Sequence, residues 1–337
     1  MKKYYPIFVS KSGELRALKE LSQKVKNEIS PIIEVIPDNY KRVLNFAINE
    51  WTFNNNELYL DFSLCSPYDD QETQKLIESL ILAQVNVVPV INKSSDSRQI
   101  DYIKKLLINS KISKICYRLY NGEFSSANIQ QDIDSFIKKI GTNRKNLSIL
   151  LDFGVVQHSN YLLYSKEAIL LSKLLKQLDL NSIIVSSGSF PQNLSSLTPA
   201  GHLYSLQRYE WHFWLELQKV PELCGLIYYS DFGTKYPKYI EANYPGTCSI
   251  KYTTEFEFLI YRGELSKSHH LGNGQFIVFA SKLITNQQYS GQNFSWGDGR
   301  IFSISTQLNS MQQTPGNLGT WVQISQNHHI TITHSLL

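Results

Sequence analysis

The stretch Leu147-Ser148-Ile149-Leu150-Leu151-Asp152-Phe153, read with Ser165–Leu178 and Ser182–Ser187 after it, decides the fold. The first and last are short, mostly apolar runs, as strands are when both faces are covered. The middle segment has helical period, with Ser165 as a start signal and Glu167 in the first turn, where a carboxylate suits the helix dipole. A helix between two strands this close in sequence forces the strands parallel.

The same alternation extends in both directions. Strands are predicted at Tyr4–Val9, Ile29–Ile36, Glu57–Phe62, Asn86–Asn92, Lys114–Leu119, Leu147–Phe153, Ser182–Ser187 and Gly225–Ser230. Helical period marks Glu14–Asn27, Asp70–Ala83, Ile100–Ile108 and Ile129–Ile140 between them. Eight βα units in about 230 residues match the size of a closed TIM-like (β/α)8 barrel. The rival is a doubly wound sheet, which places a glycine-rich phosphate loop after its first strand. Val9-Ser10-Lys11-Ser12-Gly13-Glu14 has a single glycine there, so the α/β barrel is preferred.

Composition changes after Asp231, with more glycine, asparagine, glutamine and tyrosine. Thr253–Gly263 reads as the eighth barrel helix, with Gly263 as its stop, although its alternating phenylalanines also permit a strand. The barrel is therefore assigned to residues 1–264. Residues 265–337 become an appended C-terminal segment expected to cover the barrel mouth, with turns at Gly297-Asp298-Gly299 and Pro315-Gly316-Asn317.

The chain has 337 residues, 42% hydrophobic and 18% charged, so it can bury a large core and is not a disordered segment. Four cysteines without a CxxC pair exclude a disulfide scaffold and a zinc module, and fit the cytoplasm. No segment reads as a signal peptide or membrane span. A net charge of +4, with lysines paired on helix faces (Lys104-Lys105, Lys138-Lys139), is too weak for a nucleic-acid footprint.

Several stretches resemble one family in order. They are Tyr5-Pro6-Ile7, Lys11-x-Gly13-Glu14-x-Arg16-Ala17-Leu18, Pro31-Ile32-Ile33-Glu34-Val35 and Leu58-x-Leu60-Asp61 near the start. Tyr261-Arg262-Gly263, Phe294-Ser295-Trp296-Gly297-Asp298 and Trp321-x-x-Ile324-x-x-Asn327-His328-His329 follow near the end. Together they resemble the Beta-protein family of phages, satellite phages and bacterial mobile elements. The resemblance implies a mobile-element setting, a role in phage defence or toxin control, and a protein partner encoded nearby, a toxin or defence effector. It implies no reaction, cofactor or catalytic set.

Barrel geometry supplies the candidate site. Side chains at the C-terminal strand ends converge on one mouth, and these ends are ionic: Glu34, Asp61, Arg118 and Asp152, with Asp231 after the last strand. Buried carboxylates must be paired, protonated or bound to a cation. Lys11 and Lys93, at matching positions, are candidate countercharges beside Arg118. Two chemistries remain open. In one, Glu34, Asp61 and Asp152 divide acid and base roles in glycoside hydrolysis. Alternatively they hold Mg²⁺ while Arg118 and Lys11 neutralise a phosphate, giving a hydrolase of nucleotide or phosphodiester ligands. The mixture of charges favours the phosphate-bearing ligand. A binding protein, antitoxin-like and without catalysis, is the alternative to both.

The histidines add a lid hypothesis. On a terminal strand His328 would share a face with Ile330 and Ile332, and His329 with Thr331 and Thr333, so only one of the pair can face a pocket. That one would act as general acid/base, with Arg262 and Asp298 beside it. Trp211 and Trp214 read as helix-on-barrel packing. Tyr228, Tyr229, Tyr236, Tyr239 and Tyr244, with Pro237 and Pro245, read as an ordered stacking surface.

Overall fold

Eight parallel strands form one sheet in the computed structural model, which describes residues 4–51, 56–65, 68–241, 246–308 and 310–337. They are β1 (Ile7–Val9), β2 (Ile32–Glu34), β3 (Glu57–Asp61), β4 (Asn86–Ile91), β5 (Ile115–Tyr120), β6 (Leu147–Val155), β7 (Ser182–Gly188) and β9 (Ile227–Ser230). Each pairs with the next in that order; β8 (Leu203–Gln207) stands in another sheet. Residues beside β1 close the circle. Tyr4 bridges Tyr229 in parallel, the Tyr5 amide donates to the Tyr229 carbonyl at 2.9 Å, and that of Ile7 donates to the Asp231 carbonyl at 2.8 Å. Closure leaves no exposed ladder edge. This is the (β/α)8 barrel read from the alternation of apolar runs and helical segments.

Alternate residues of the strands point inward. Tyr5, Ile7, Ile32, Tyr59, Val88, Val90, Cys116, Leu150 and Ile184 pack with Phe232 as one interior cluster. The helices around this barrel are α3 (Tyr40–Phe46), continued by a π-helical turn over Ala47–Trp51, then α4 (Asp70–Leu82), α5 (Ser97–Ile108), α6 (Ile129–Ile140), α7 (Tyr161–Lys176) and α8 (Tyr209–Gln218). Asp69 and Asp96 cap α4 and α5 by accepting the Glu72 and Arg98 amides. Gly141, at φ 73°, ends α6 in the left-handed conformation. Ser165 does not start α7. It lies one turn inside, buried, and its hydroxyl donates to the Tyr161 carbonyl at 2.7 Å. Trp211 and Trp214 are core residues, set edge-on to Tyr229.

The chain groups into two units. The first holds Met1–Lys11, Asn27–Ser189 and Tyr209–Phe232; the second holds Ser12–Lys26, Phe190–Arg208 and Gly233–Leu337. Residue 264, the boundary expected from sequence, lies inside the second. That unit has an antiparallel sheet in the order β10 (Ser249–Thr253), β11 (Glu257–Arg262), β8. It also holds α1 (Ser12–Lys19), α9 (Gln275–Ile284), α10 (Trp296–Ser305) and α11 (Leu318–Leu336). The expected helix over Glu14–Asn27 is broken into α1 and α2 (Gln23–Glu28), with the Ser22 hydroxyl accepting the Val25 amide at the restart.

Two expectations fail here for a shared reason, the period of the pattern. Thr253–Gly263 contains strand β11, not a helix. Leu259 and Tyr261 enter the main core of this unit, whereas Phe258 and Ile260 pack with Phe190 on the other face. Period two wins because both faces are covered. Conversely, the terminal segment is helix α11 and not a strand. Its Ile-Thr alternation misleads, while Trp321, Ile324 and His328 at helical spacing form the buried stripe. Asn317 and Thr320 form its capping box.

Gly263 is no helix stop. A Cβ there would lie 2.2 Å from the Cys248 carbonyl oxygen and 2.9 Å from the Phe279 ring. Gly263→Ala is therefore expected to destabilise the protein by about 1–3 kcal/mol through overpacking, read as a lowered urea midpoint with an unchanged m-value.

Candidate functional site

Strand parity brings the ionic groups of the barrel together. Glu34 lies two residues beyond inward-facing Ile32, Asp61 beyond Tyr59, Arg118 beyond Cys116 and Asp152 beyond Leu150, so all four share the inward face. Glu34 and Asp61 are also paired neighbours in the β2–β3 register. Arg118 is 2% exposed, and the three carboxylates are no more than 5% exposed.

The guanidinium meets all three acids. Nη1 donates to Glu34 Oε1 at 2.9 Å and to Asp61 Oδ2 at 2.7 Å. Nε and Nη2 both donate to Asp152 Oδ2, at 3.0 and 2.6 Å. The other oxygens of two acids are bound by backbone: Asp61 Oδ1 accepts the Ser63 amide at 2.8 Å, and Asp152 Oδ1 accepts that of Gly154 at 2.9 Å. Tyr120 and Phe232 rings lie 4.9 and 6.0 Å from the guanidinium carbon. Burial pulls the Arg118 pKa down, but Asp152, Tyr120, Glu34 and Asp61 outweigh it, so it stands well above the ordinary arginine range. Burial pushes the Asp152 carboxyl up, against the opposing pull of Arg118.

The four ionic strand-end residues thus converge, with Arg118 as countercharge to all three acids. Acid oxygens proposed for Mg²⁺ are committed to a guanidinium, and among the described residues no group of three or more His, Cys, Asp or Glu is arranged to hold a metal ion. The donor set does not fit a magnesium centre. Of the other expected countercharges, Lys11 is exposed. Lys93 pairs with Asp132 at 3.0 Å and with the Glu123 carbonyl at 2.7 Å. Asp231 accepts the Tyr4 hydroxyl at 2.7 Å beside the closing seam.

The remaining candidates belong to the second unit. His328 is wholly buried on α11, stacked on Tyr252 with ring centres 3.9 Å apart. Its Nδ1 faces Asp298 Oδ2 at 2.8 Å and its Nε2 faces the Thr253 carbonyl at 2.7 Å. Tyr252 donates its hydroxyl to Asp298 Oδ1 at 2.9 Å, and Ser295 donates to Oδ2 at 2.5 Å. His329, also buried, bonds the Thr253 hydroxyl at 2.9 Å. Both histidines are thus buried on a helix, which corrects the strand on which only one of them could face inward. Gly297-Asp298 is not a turn but the first turn of α10, capped by Ser295. A Cβ on Gly297 would sit 2.6 Å from the Ile324 carbonyl, and the Gly297 amide donates to Asn327. Hence the Phe294–Asp298 and Asn327–His329 motifs hold one another. Tyr252 went unnoticed in the sequence, whereas the Ser295-x-x-Asp298 capping spacing was a usable signal.

Arg262 donates to the Thr198 carbonyl. Of the tyrosines, Tyr228 packs on Tyr5 in the first unit and Tyr229 is buried there, Tyr236 and Tyr239 fall in the second, and Tyr244 and Pro245 lie outside the described residues. His269 and His270 stack on each other in a loop, as ordinary surface residues. Among the described residues, no helix is long and apolar enough to cross a membrane.

At the level of the whole chain, residues 4–334 match the sequence model described as Beta protein. No curated protein matches.

Replacing the guanidinium strands three buried carboxylates. Arg118→Met is expected to cost about 3–5 kcal/mol at neutral pH. An Asp152 pKa raised in the folded state favours folding most at low pH, and this contribution is lost as pH climbs through that pKa. Removing Arg118 raises the pKa further, so the gap from wild type, read by urea midpoints, should be widest at pH 7 and shrink towards pH 4. In the second unit, His328→Gln and Asp298→Asn should each cost about 3–5 kcal/mol. The double variant should cost clearly less than their sum, as a double-mutant cycle would record.

Proposed function

This chain belongs to the Beta protein family, and from that membership and its barrel chemistry we propose a non-catalytic binding or regulatory component of a phage or mobile element. The observation that carries this reading is the commitment of Arg118 to Glu34, Asp61 and Asp152. A phosphate entering there would meet a guanidinium already shared by three carboxylates, whose negative charge opposes it. A sugar hydrolase needs its carboxylates separated by the scissile bond or a water, and here the guanidinium fills that gap. The network is better suited to fixing the barrel as a rigid scaffold, with recognition assigned to its outside.

The partner most consistent with the family setting is the product of a neighbouring gene, a toxin or defence effector that this protein restrains in an antitoxin-like manner. A second reading, the metal-dependent hydrolase, draws support from one observation: burial pushes the Asp152 carboxyl up, as a general acid requires. Against it, both Asp152 oxygens are already engaged.

Co-expression with the adjacent gene separates the readings. The tagged chain should capture that gene product, and Asp61→Asn or Asp152→Asn should lower the melting temperature while the molecules that remain folded keep the partner. No Mg²⁺-dependent hydrolysis of bis(p-nitrophenyl) phosphate is expected. Turnover above background that disappears in Asp61→Asn would overturn the scaffold reading.

A further inference from the structure

A cavity of about 550 Å³ lies within the second unit, wholly lined by residues of that unit. Ligand pockets commonly span about 300–1,000 Å³, so its size suits a small organic molecule. Strand parity again decides what faces it. Ser249 and Lys251 are two apart on β10, and Arg262 is the cross-strand partner of Ser249 on β11, so the three share one sheet face. Lys235 lines the same space, and Glu14 on α1 is the single acid. Three cations against one carboxylate leave a formal surplus of two positive charges, the charge of a phosphate monoester dianion with the sign reversed.

The two strand cations have donors to spare. Lys251 gives one hydrogen to the Thr234 carbonyl at 3.1 Å, with its ammonium 4.5 Å from the centre of the Phe190 ring. Arg262 donates through Nη1 to the Thr198 carbonyl, and its buried Nε has no hydrogen-bond partner. A buried donor without an acceptor is unfavourable, and an incoming oxyanion would satisfy it. Desolvation lowers the Lys251 pKa to about 8, while Glu14 pulls it upward. The wall that α11 contributes is uncharged, with Ser325 and Gln326 beside apolar Leu318 and Val322. Charge, hydroxyls and apolar walls in a space larger than a bare oxyanion needs define a mixed site.

We infer that this cavity binds a small organic phosphate monoester, its phosphate held by Lys251, Arg262 and Lys235 and its organic part against the Leu318 and Val322 side. The site is independent of the barrel network and would serve a scaffold protein as a ligand-sensing element.

Calorimetry on the full chain tests it with three probes: adenosine monophosphate, inorganic phosphate and adenosine. Saturable binding of the monophosphate, weaker binding of inorganic phosphate and none of adenosine is expected. Lys251→Met and Arg262→Gln should each weaken the monophosphate at least tenfold with an unchanged circular dichroism spectrum, and Lys251→Arg should retain it. Because the ammonium form is needed, affinity should fall as pH is raised past about 8, and Lys251→Met should lose that dependence. The charged groups around Lys251 are Glu14, Lys235 and Arg262. Non-saturating heats, or equal affinity in wild type and both loss variants, would overturn the assignment; so would adenosine binding as tightly as its monophosphate. Should one variant fail to fold, the other carries the same decision.

Discussion

An arginine turned into the middle of a closed parallel sheet has no water to meet, and the rest of the barrel follows from how that need is answered. Alternation along a strand sends every second residue inward, so Arg118 cannot leave the interior without displacing Cys116 from it as well. Three carboxylates on three other strands answer the charge. Each contact ties a different pair of staves, so the network fixes strand register as well as charge. Burying ion pairs is often no more stabilising than burying well-packed apolar groups. Their benefit lies in excluding alternatives, because a slip of one residue on any of these strands would send a charge to the wrong face.

The second unit buries a polar cluster of its own. His328, Asp298 and Tyr252 are buried and bonded through Asp298, with part-buried Ser295 donating to the same carboxylate. Residue types familiar from catalytic sites thus occur twice in this chain in arrangements whose hydrogen bonds are spent internally. Chemistry-bearing residue types signal a reactive site only when some of their capacity is left over, which is the distinction between the Arg118 network and the Lys251–Arg262 cavity.

Much of the architecture was legible because it depends on local pattern. Apolar runs marked all eight barrel strands, and the ionic strand ends marked Glu34, Asp61, Arg118 and Asp152. Pairing among those four was one of the readings left open, because the choice depends on distances across the barrel that sequence spacing does not encode. The Thr253–Gly263 and His328–Thr333 segments failed because β-branched and aromatic residues recur at positions compatible with both periods. Lys251 carried no signal at all: an isolated lysine in Ser249–Thr253 reads as a solvent-facing residue of an ordinary strand.

The seam of the barrel has a consequence for how the chain comes into being. Tyr4 and Asp231 are joined across 227 positions, and the Ser230 hydroxyl reaches the Tyr5 carbonyl across 225. In the second unit, Asn327 holds the Ala17 carbonyl across 310. Neither unit can be finished until its earliest and latest parts have both left the ribosome. Such remote pairings make for slow folding and long exposure of unpaired edges. Until the last strand arrives, the first has no neighbour on its closing side, and that unpaired edge is what a nascent-chain chaperone would have to shield.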